Sequence, residues 1–179
     1  MSRPTRAEAA KLVMSVISAE GGIFRDVMQI LTAHFGTPDF ISAQMPFGYT
    51  SYYEKEMGKA LVRRMVSFER LIPPESLPDV KLLTNQVEDQ FSGEGRRKIN
   101  IDPGYMSAAH LILATGKGYT HRPYLRDGIY ADLTLIFTDG AFHALSWTYP
   151  DYAGQEVTAL LSKIRGKYLK ALKAVGKDN

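Results

Sequence analysis

The chain has no cysteine, which excludes disulfides, thiolate nucleophiles and Cys-ligated zinc or iron–sulfur clusters, and fits the cytoplasm. It also lacks long apolar runs. Stretches such as Leu111-Ile112-Leu113-Ala114 fall far short of the roughly 20 residues needed to span a bilayer. Arg3 and Arg6 are followed by Ala-Glu-Ala-Ala-Lys rather than the uninterrupted apolar core of a signal peptide, so no membrane association is expected. Charge of one sign is scarce. The net charge is +3, and the cationic surplus gathers at Lys163, Arg165, Lys167, Lys170, Lys173 and Lys177, where it complements the C-terminus of a helix. Nucleic-acid binders carry a broader basic footprint, so no nucleic-acid partner is expected. No repeat, low-complexity tract or linker divides the chain.

Core material is ample. Of 179 residues 45% are hydrophobic, including ten Tyr and eight Phe, enough to offset the ordering entropy of one domain over residues 1–179 with flexible ends at about 1–9 and 174–179. Lys11 to Ser18 reads as a strand. Ile23, Val27, Ile30, Leu31 and Phe35 recur at helical spacing before Gly36 and Pro38, which predicts a helix with its stop. Phe40–Phe47 reads as a second strand, 48–58 as a loop or short helix, and Leu61–Ile72 as a third strand ended by Pro73-Pro74. A second helix runs from Glu75 to Phe91, with Leu77, Val80, Leu83 and Val87 on one side. A strand over Arg96–Asp102, a short helix over Ser107–Thr115, and strands over Tyr119–Leu125, Gly128–Phe137 and Phe142–Trp147 follow. Asp139-Gly140 joins the last two as a hairpin. Val157, Leu160, Leu161, Ile164 and Tyr168 mark a closing helix.

This order predicts an α+β fold with a ferredoxin-like βαββαβ start, extended by an antiparallel hairpin, its helices packed on one sheet face.

Several motifs stand out together: Tyr52-Tyr53-Glu54-Lys55-Glu56-Met57-Gly58, Ser67-Phe68-Glu69-Arg70-Leu71, Thr84-Asn85, Gly95-Arg96-Arg97, Asn100-Ile101-Asp102-Pro103-Gly104-Tyr105, His121-Arg122-Pro123-Tyr124-Leu125 and Trp147-Thr148-Tyr149-Pro150-Asp151-Tyr152. Their order and spacing resemble the prokaryotic family known as domain of unknown function 4416, over about Lys11 to Tyr168. The resemblance implies no assigned activity. Members sometimes carry a GTP-binding label, but Gly116-Lys117 and Gly166-Lys167 lack the earlier glycine and following hydroxyl of a phosphate-binding loop.

Strand alternation places Arg96, Lys98, Asn100 and Asp102 on one face and Arg97, Ile99 and Ile101 on the other. Thr120, Arg122 and Tyr124 would share a face on the next strand, as would Tyr130, Asp132 and Thr134 on the one after. A polar groove assembled from these strands would bind a small anionic metabolite or nucleotide, with enzymatic activity open. Arg96 and Arg122 would hold the anion as guanidinium forks. Asn100 and Tyr124 would orient it with Asp132 also in the ligand site, and His121 and Asp102 are the candidates for proton transfer, with Glu69 as the secondary acid. No metal site is assigned, since no ligand spacing points to one, and the sequence names no cofactor. The rival reading is a noncatalytic interaction module whose motif residues are structural and whose Tyr-rich surface meets a partner protein.

Overall fold

A computed structural model describes residues 1, 3–19, 22–48, 54–58, 60–93 and 96–175. Strand β1 (Ala10–Ala19) is buried at every position from Ala10 to Ser18, because it lies inside the sheet with helices over both faces. Helix α1 (Ile23–Phe35) follows. It ends where Gly36 takes φ +88° and its amide reaches the Thr32 carbonyl at 2.9 Å, a left-handed terminus that suits glycine. Strands β2 (Pro38–Ile41) and β3 (Met45–Pro46) both pair with β4 (Leu61–Ile72). The single strand expected over Phe40–Phe47 is therefore broken. Ser42 causes the interruption, its hydroxyl accepting from the Met65 amide at 2.9 Å.

Helix α2 (Glu54–Met57) precedes β4. A 3-10 turn (Pro74–Ser76) then opens α3 (Leu77–Gln90). Strand β5 (Ile99–Met106) pairs antiparallel with β1 along its whole length, from Lys11 opposite Met106 to Ser18 opposite Ile99. It starts later than expected and runs straight through Pro103-Gly104. Strand β6 (His110–Thr115) replaces the expected Ser107–Thr115 helix. A short apolar run is ambiguous by periodicity alone, and here the turn decides: the Ser107 hydroxyl accepts from the Ala109 and His110 amides, both at 3.2 Å, folding β6 back on β5. Strand β7 covers only Tyr124–Arg126, β8 runs Ile129–Thr138 and β9 is Ala141–Ala144. Asp139 and Gly140 take φ +50° and +80° between them, as a tight hairpin requires. Short α4 (Pro150–Ala153) leads into α5 (Gln155–Val175).

The result is an α+β protein with a nine-stranded antiparallel sheet in the order β2-β4-β1-β5-β6-β8-β7, with β3 on β4 and β9 on β8. Its helices do not share one face. Val27, Leu31, Val80 and Val87 of α1 and α3 pack on Leu12, Met14, Val66 and Ile101, whereas Val157, Leu161 and Ile164 of α5 pack on Val13, Met65, Leu111 and Leu135 from the other side. The correction follows from β1, whose alternate residues are apolar on both faces and need two covers. Leu161 and Ile164 are fully buried, each worth about 1.5–3 kcal/mol of transfer free energy. No helix among the described residues is long and apolar enough to cross a membrane.

Candidate functional site

Antiparallel register fixes which side chains share the α5-covered face. Ser15 of β1 stands between Met65 and Asp102, and Ile17 between Arg63 and Asn100. Directly opposed side chains lie on one face at Cβ separations of about 4.5–5.5 Å. Arg63, Ser15, Asn100 and Asp102 are thus neighbours, and α4 lays Asp151 and Tyr152 over them. The Arg63 side chain is only 3% exposed and is ion-paired through Nη2 to the Asp151 carboxylate, with Nη1 3.4 Å from the Asp151 carbonyl. Phe47 and Tyr152 place their rings 4.6 and 4.9 Å from its guanidinium carbon. Burial works against the Arg63 charge, but nearby Tyr152, Asp151 and Asp102 outweigh it and raise its pKa. Burial pushes the Tyr152 phenol far above its usual range.

A polar chain leads away from this centre. Asn100 Nδ2 donates to Asp102 at 2.9 Å, Arg97 Nη1 donates to Asn100 Oδ1 at 3.0 Å, and Arg97 Nε donates to Glu56 at 2.7 Å. Arg97, not Arg96, joins the Asn100 face, because β5 does not begin until Ile99 and alternation does not extend back to the arginines. Arg96 lies exposed, its backbone bridged to Gly93. Gly95 and the Tyr52-Tyr53 pair lie outside the described residues.

One buried polar atom of Arg63, Nε, lacks a hydrogen-bond partner. Unsatisfied buried groups are uncommon in folded proteins and call for an explanation. Arg63 also lines a cavity of about 90 Å³, together with Met45, Pro46, Phe47 and residues 154–157 at the start of α5. A larger, open depression of about 560 Å³ lies between α1 and β2. Its lining is mostly apolar and gathers no set of charged groups.

Arg122, His121 and Asp132 do meet, though not by strand alternation. Residues 119–122 form a turn closed by the Arg122 amide on the Tyr119 carbonyl at 3.0 Å, so His121 and Arg122 approach the same carboxylate oxygen. Arg122 Nε lies 2.8 Å and His121 Nε2 3.7 Å from Asp132 Oδ2. Arg122 also donates to the Lys117 carbonyl and the Tyr149 hydroxyl, both at 3.1 Å, so each guanidinium nitrogen is engaged. Burial works against the Arg122 charge; its bonds to Tyr149 and Asp132 more than restore it. His121 stacks on Trp147 at 5.1 Å. The Tyr149-Pro150-Asp151-Tyr152 segment touches both clusters, Tyr149 bonding Arg122 and Asp151 bonding Arg63.

Glu69 is exposed on β4 and its amide serves backbone pairing with Thr37. Tyr124 is 59% exposed on the edge strand β7, where its ring meets Tyr130. Neither joins the Arg63 or Asp132 cluster. No group of three or more His, Asp or Glu placed to hold a metal occurs among the described residues.

The family described as "Domain of unknown function (DUF4416)" matches residues 8–168. The chain belongs to that family. No curated protein and no solved structure matches it. The segments that carry the DUF4416 resemblance supply Glu56, Arg97, Asn100, Asp102, Asp151 and Tyr152, gathered from distant parts of the chain. Arg63 falls outside every one of those segments. A signal for it exists in the strand pattern, since alternation puts Arg63 between Leu61 and Met65 on an inward face, where an unpaired cation is disfavoured.

Glu88 of α3 braces the same strand from its other face. The Ile101 amide donates to Glu88 Oε1 at 2.6 Å, and Arg97 stands 3.5 Å from Oε2. Burial pushes the Glu88 pKa up, with Lys81 and Arg97 pulling against it. A carboxyl whose pKa rises on folding keeps its proton better when folded. Its contribution therefore favours the folded chain at low pH and is lost as pH climbs from the unfolded pKa of about 4.3 through the folded one. Glu88→Gln retains an acceptor for Ile101. It is expected to flatten that decline while changing neutral-pH stability by no more than about 1 kcal/mol, as urea titrations at about pH 4 and about pH 7 would record.

Proposed function

We propose that this DUF4416 protein binds a small anionic metabolite on the α5-covered face of the sheet, with Arg63 as the anchor. One observation carries the reading: Arg63, whose side chain is 3% exposed, lines a cavity of about 90 Å³. Asp102 and Tyr152 are its proton-transfer candidates and Asn100 its orienting group. In this reading the anion role expected of Arg122 passes to Arg63, because every Arg122 nitrogen already has a partner. His121, Arg122 and Asp132 then fix the Tyr149–Tyr152 segment that closes the site. The cytoplasm is the proposed compartment, supported by the absence of cysteine. A ferredoxin-like start is supported by the β2-β4-β1-β5 order of its antiparallel strands.

The test is a thermal-shift screen of the full chain with inorganic phosphate, sugar phosphates, nucleoside monophosphates and small carboxylates, followed by calorimetry on any hit. A genuine ligand at about a hundred times its dissociation constant adds roughly 2.7 kcal/mol of stability. Arg63→Lys, checked for folding by circular dichroism, should lose that gain, because an ammonium cannot reproduce a guanidinium's planar fork of donors. Asp102→Asn should retain the fold and alter binding. Binding untouched by either change would end the assignment.

The interaction-module reading draws on a different observation, the exposure of Tyr119, Tyr124 and Tyr149 at 69%, 59% and 54%. Under it no anion stabilises the chain, and alanine at Tyr119 and Tyr124 leaves stability unchanged while abolishing capture of a partner protein.

A further inference from the structure

We propose that the open edge of β2, beside α1, docks an extended segment of a partner protein in which apolar and acidic residues alternate. This surface is distinct from the Arg63 site, and its failure would leave the anion reading untouched. Among the described residues β2 closes one end of the sheet and pairs with β4 alone. The Ser42 amide points at β4, donating to the Met65 carbonyl at 2.9 Å. Backbone groups alternate in direction along an antiparallel strand, so the amide and carbonyl of Ile41 point the other way, to the open edge. An uncovered edge is a template for another strand unless charge, proline or a covering element blunts it. Pro38 blunts only the first residue of β2, and Ile41 is 42% exposed.

The depression beside this edge is apolar. Ile41 stands opposite Val66 of the α1-packed cluster, and directly opposed residues share a face. Phe24, Met28 and Thr32, spaced by four along α1, form the other wall of a depression of about 560 Å³. The Arg64 guanidinium backs the Phe24 ring at 4.7 Å from its centroid. Small ligands are held by enclosure over most of their surface, which an open depression does not supply. An extended chain instead gains main-chain hydrogen bonds along the edge and seats alternate side chains in the groove, the strand-addition mode of peptide recognition.

Charge selects the remaining side chains. Arg25, exposed, is the one charged residue lining the groove. On the opposite face of β2, Asp39 is held by Lys11 and Ser67. Burial works against the Asp39 charge, but those bonds, the Lys11 charge and Lys167 of α5 lower its pKa. Lys167 is exposed, and α5 carries no acid after Glu156. Glu69 lies past the Pro38 end, where its amide meets the Thr37 carbonyl. A strand added along Phe40 and Ile41 therefore favours apolar side chains toward α1 and acidic ones toward α5. A second β2 fits poorly, because it would bring another Arg25 and Lys167 to the same edge.

Fluorescence anisotropy with the full chain tests this, using labelled peptides of about eight residues that alternate valine with glutamate or valine with lysine. The glutamate peptide should bind about tenfold more tightly than the lysine one, and hydrogen exchange at the Ile41 amide should slow on binding. Ile41→Pro deletes the outward amide where an edge strand tolerates proline; it should keep the fold by circular dichroism and weaken binding about tenfold or more. Lys167→Glu should cut the preference for glutamate severalfold, and it decides the matter if Ile41→Pro misfolds. Equal binding of the two peptides, binding indifferent to both variants, or no binding by either peptide would overturn the assignment. A wild-type dimer in sedimentation that Ile41→Pro splits would give the edge to a second copy and overturn the peptide reading.

Discussion

Asp151→Ala is expected to destabilise the protein by about 3–5 kcal/mol, the usual consequence of stranding one member of a buried ion pair. The Arg63 side chain is 3% exposed and that of Asp151 11%, and Phe47 and Tyr152 flank the guanidinium. Water cannot readily replace the lost carboxylate. The pair itself is worth much less than either truncation suggests, since its Coulomb energy is largely offset by the desolvation of both charges. Arg63→Met combined with Asp151→Ala should therefore recover most of the loss. Urea unfolding of the wild type, both single variants and the double variant measures this cycle. A cost below about 1 kcal/mol for Asp151→Ala would mean that the pair behaves as a solvated surface bridge. The same double variant should bind no anion, which separates the stability of the site from its use.

Gly104→Ala is the second large effect, and its sign runs against propensity. Alanine in a strand interior normally gains about 0.5–1 kcal/mol over glycine by restricting the unfolded chain. At Gly104 a Cβ would stand 2.4 Å from the Ile112 carbonyl oxygen and 2.7 Å from Leu113 Cδ2. The first obstacle is backbone, held by the pairing of Gly104 with Leu113 in the β5–β6 ladder, so it cannot swing aside. A loss of about 3 kcal/mol or more is expected, read as a drop in the urea midpoint. Gly128→Ala is the control: φ is +76° but nothing lies within 4 Å of its Cβ, and strain alone should cost about 1 kcal/mol. Equal losses at the two glycines would refute the steric account. Because Asp102 lies on the same strand two residues away, a backbone shift at Gly104 should also weaken ligand binding.

Elements with a strong local signal were legible in the sequence. The α1 helix over Ile23–Phe35, the long strand Leu61–Ile72 and the Asp139-Gly140 hairpin follow from apolar spacing and turn chemistry, and the structure has each of them. The candidate groups Asn100, Asp102, Arg122, His121 and Asp132 also occupy polar clusters. Their grouping was not legible. Alternation holds only inside a strand, and Arg96, Arg97, His121 and Arg122 all lie outside the named strands, where neighbours in sequence can face the same side.

Local pattern, then, determined the composition class, the main helices and strands, and the presence of ionisable groups inside them. Tertiary structure alone decided that 107–115 would turn back as a strand, that α5 would cover the face opposite α1 and α3, and that Arg63 would meet Asp151 across 88 residues of chain. The physical reason is range. Spacing and turn chemistry act over a few residues, whereas burying a charge is tolerable only if a counter-charge arrives, and its source is fixed by the fold as a whole.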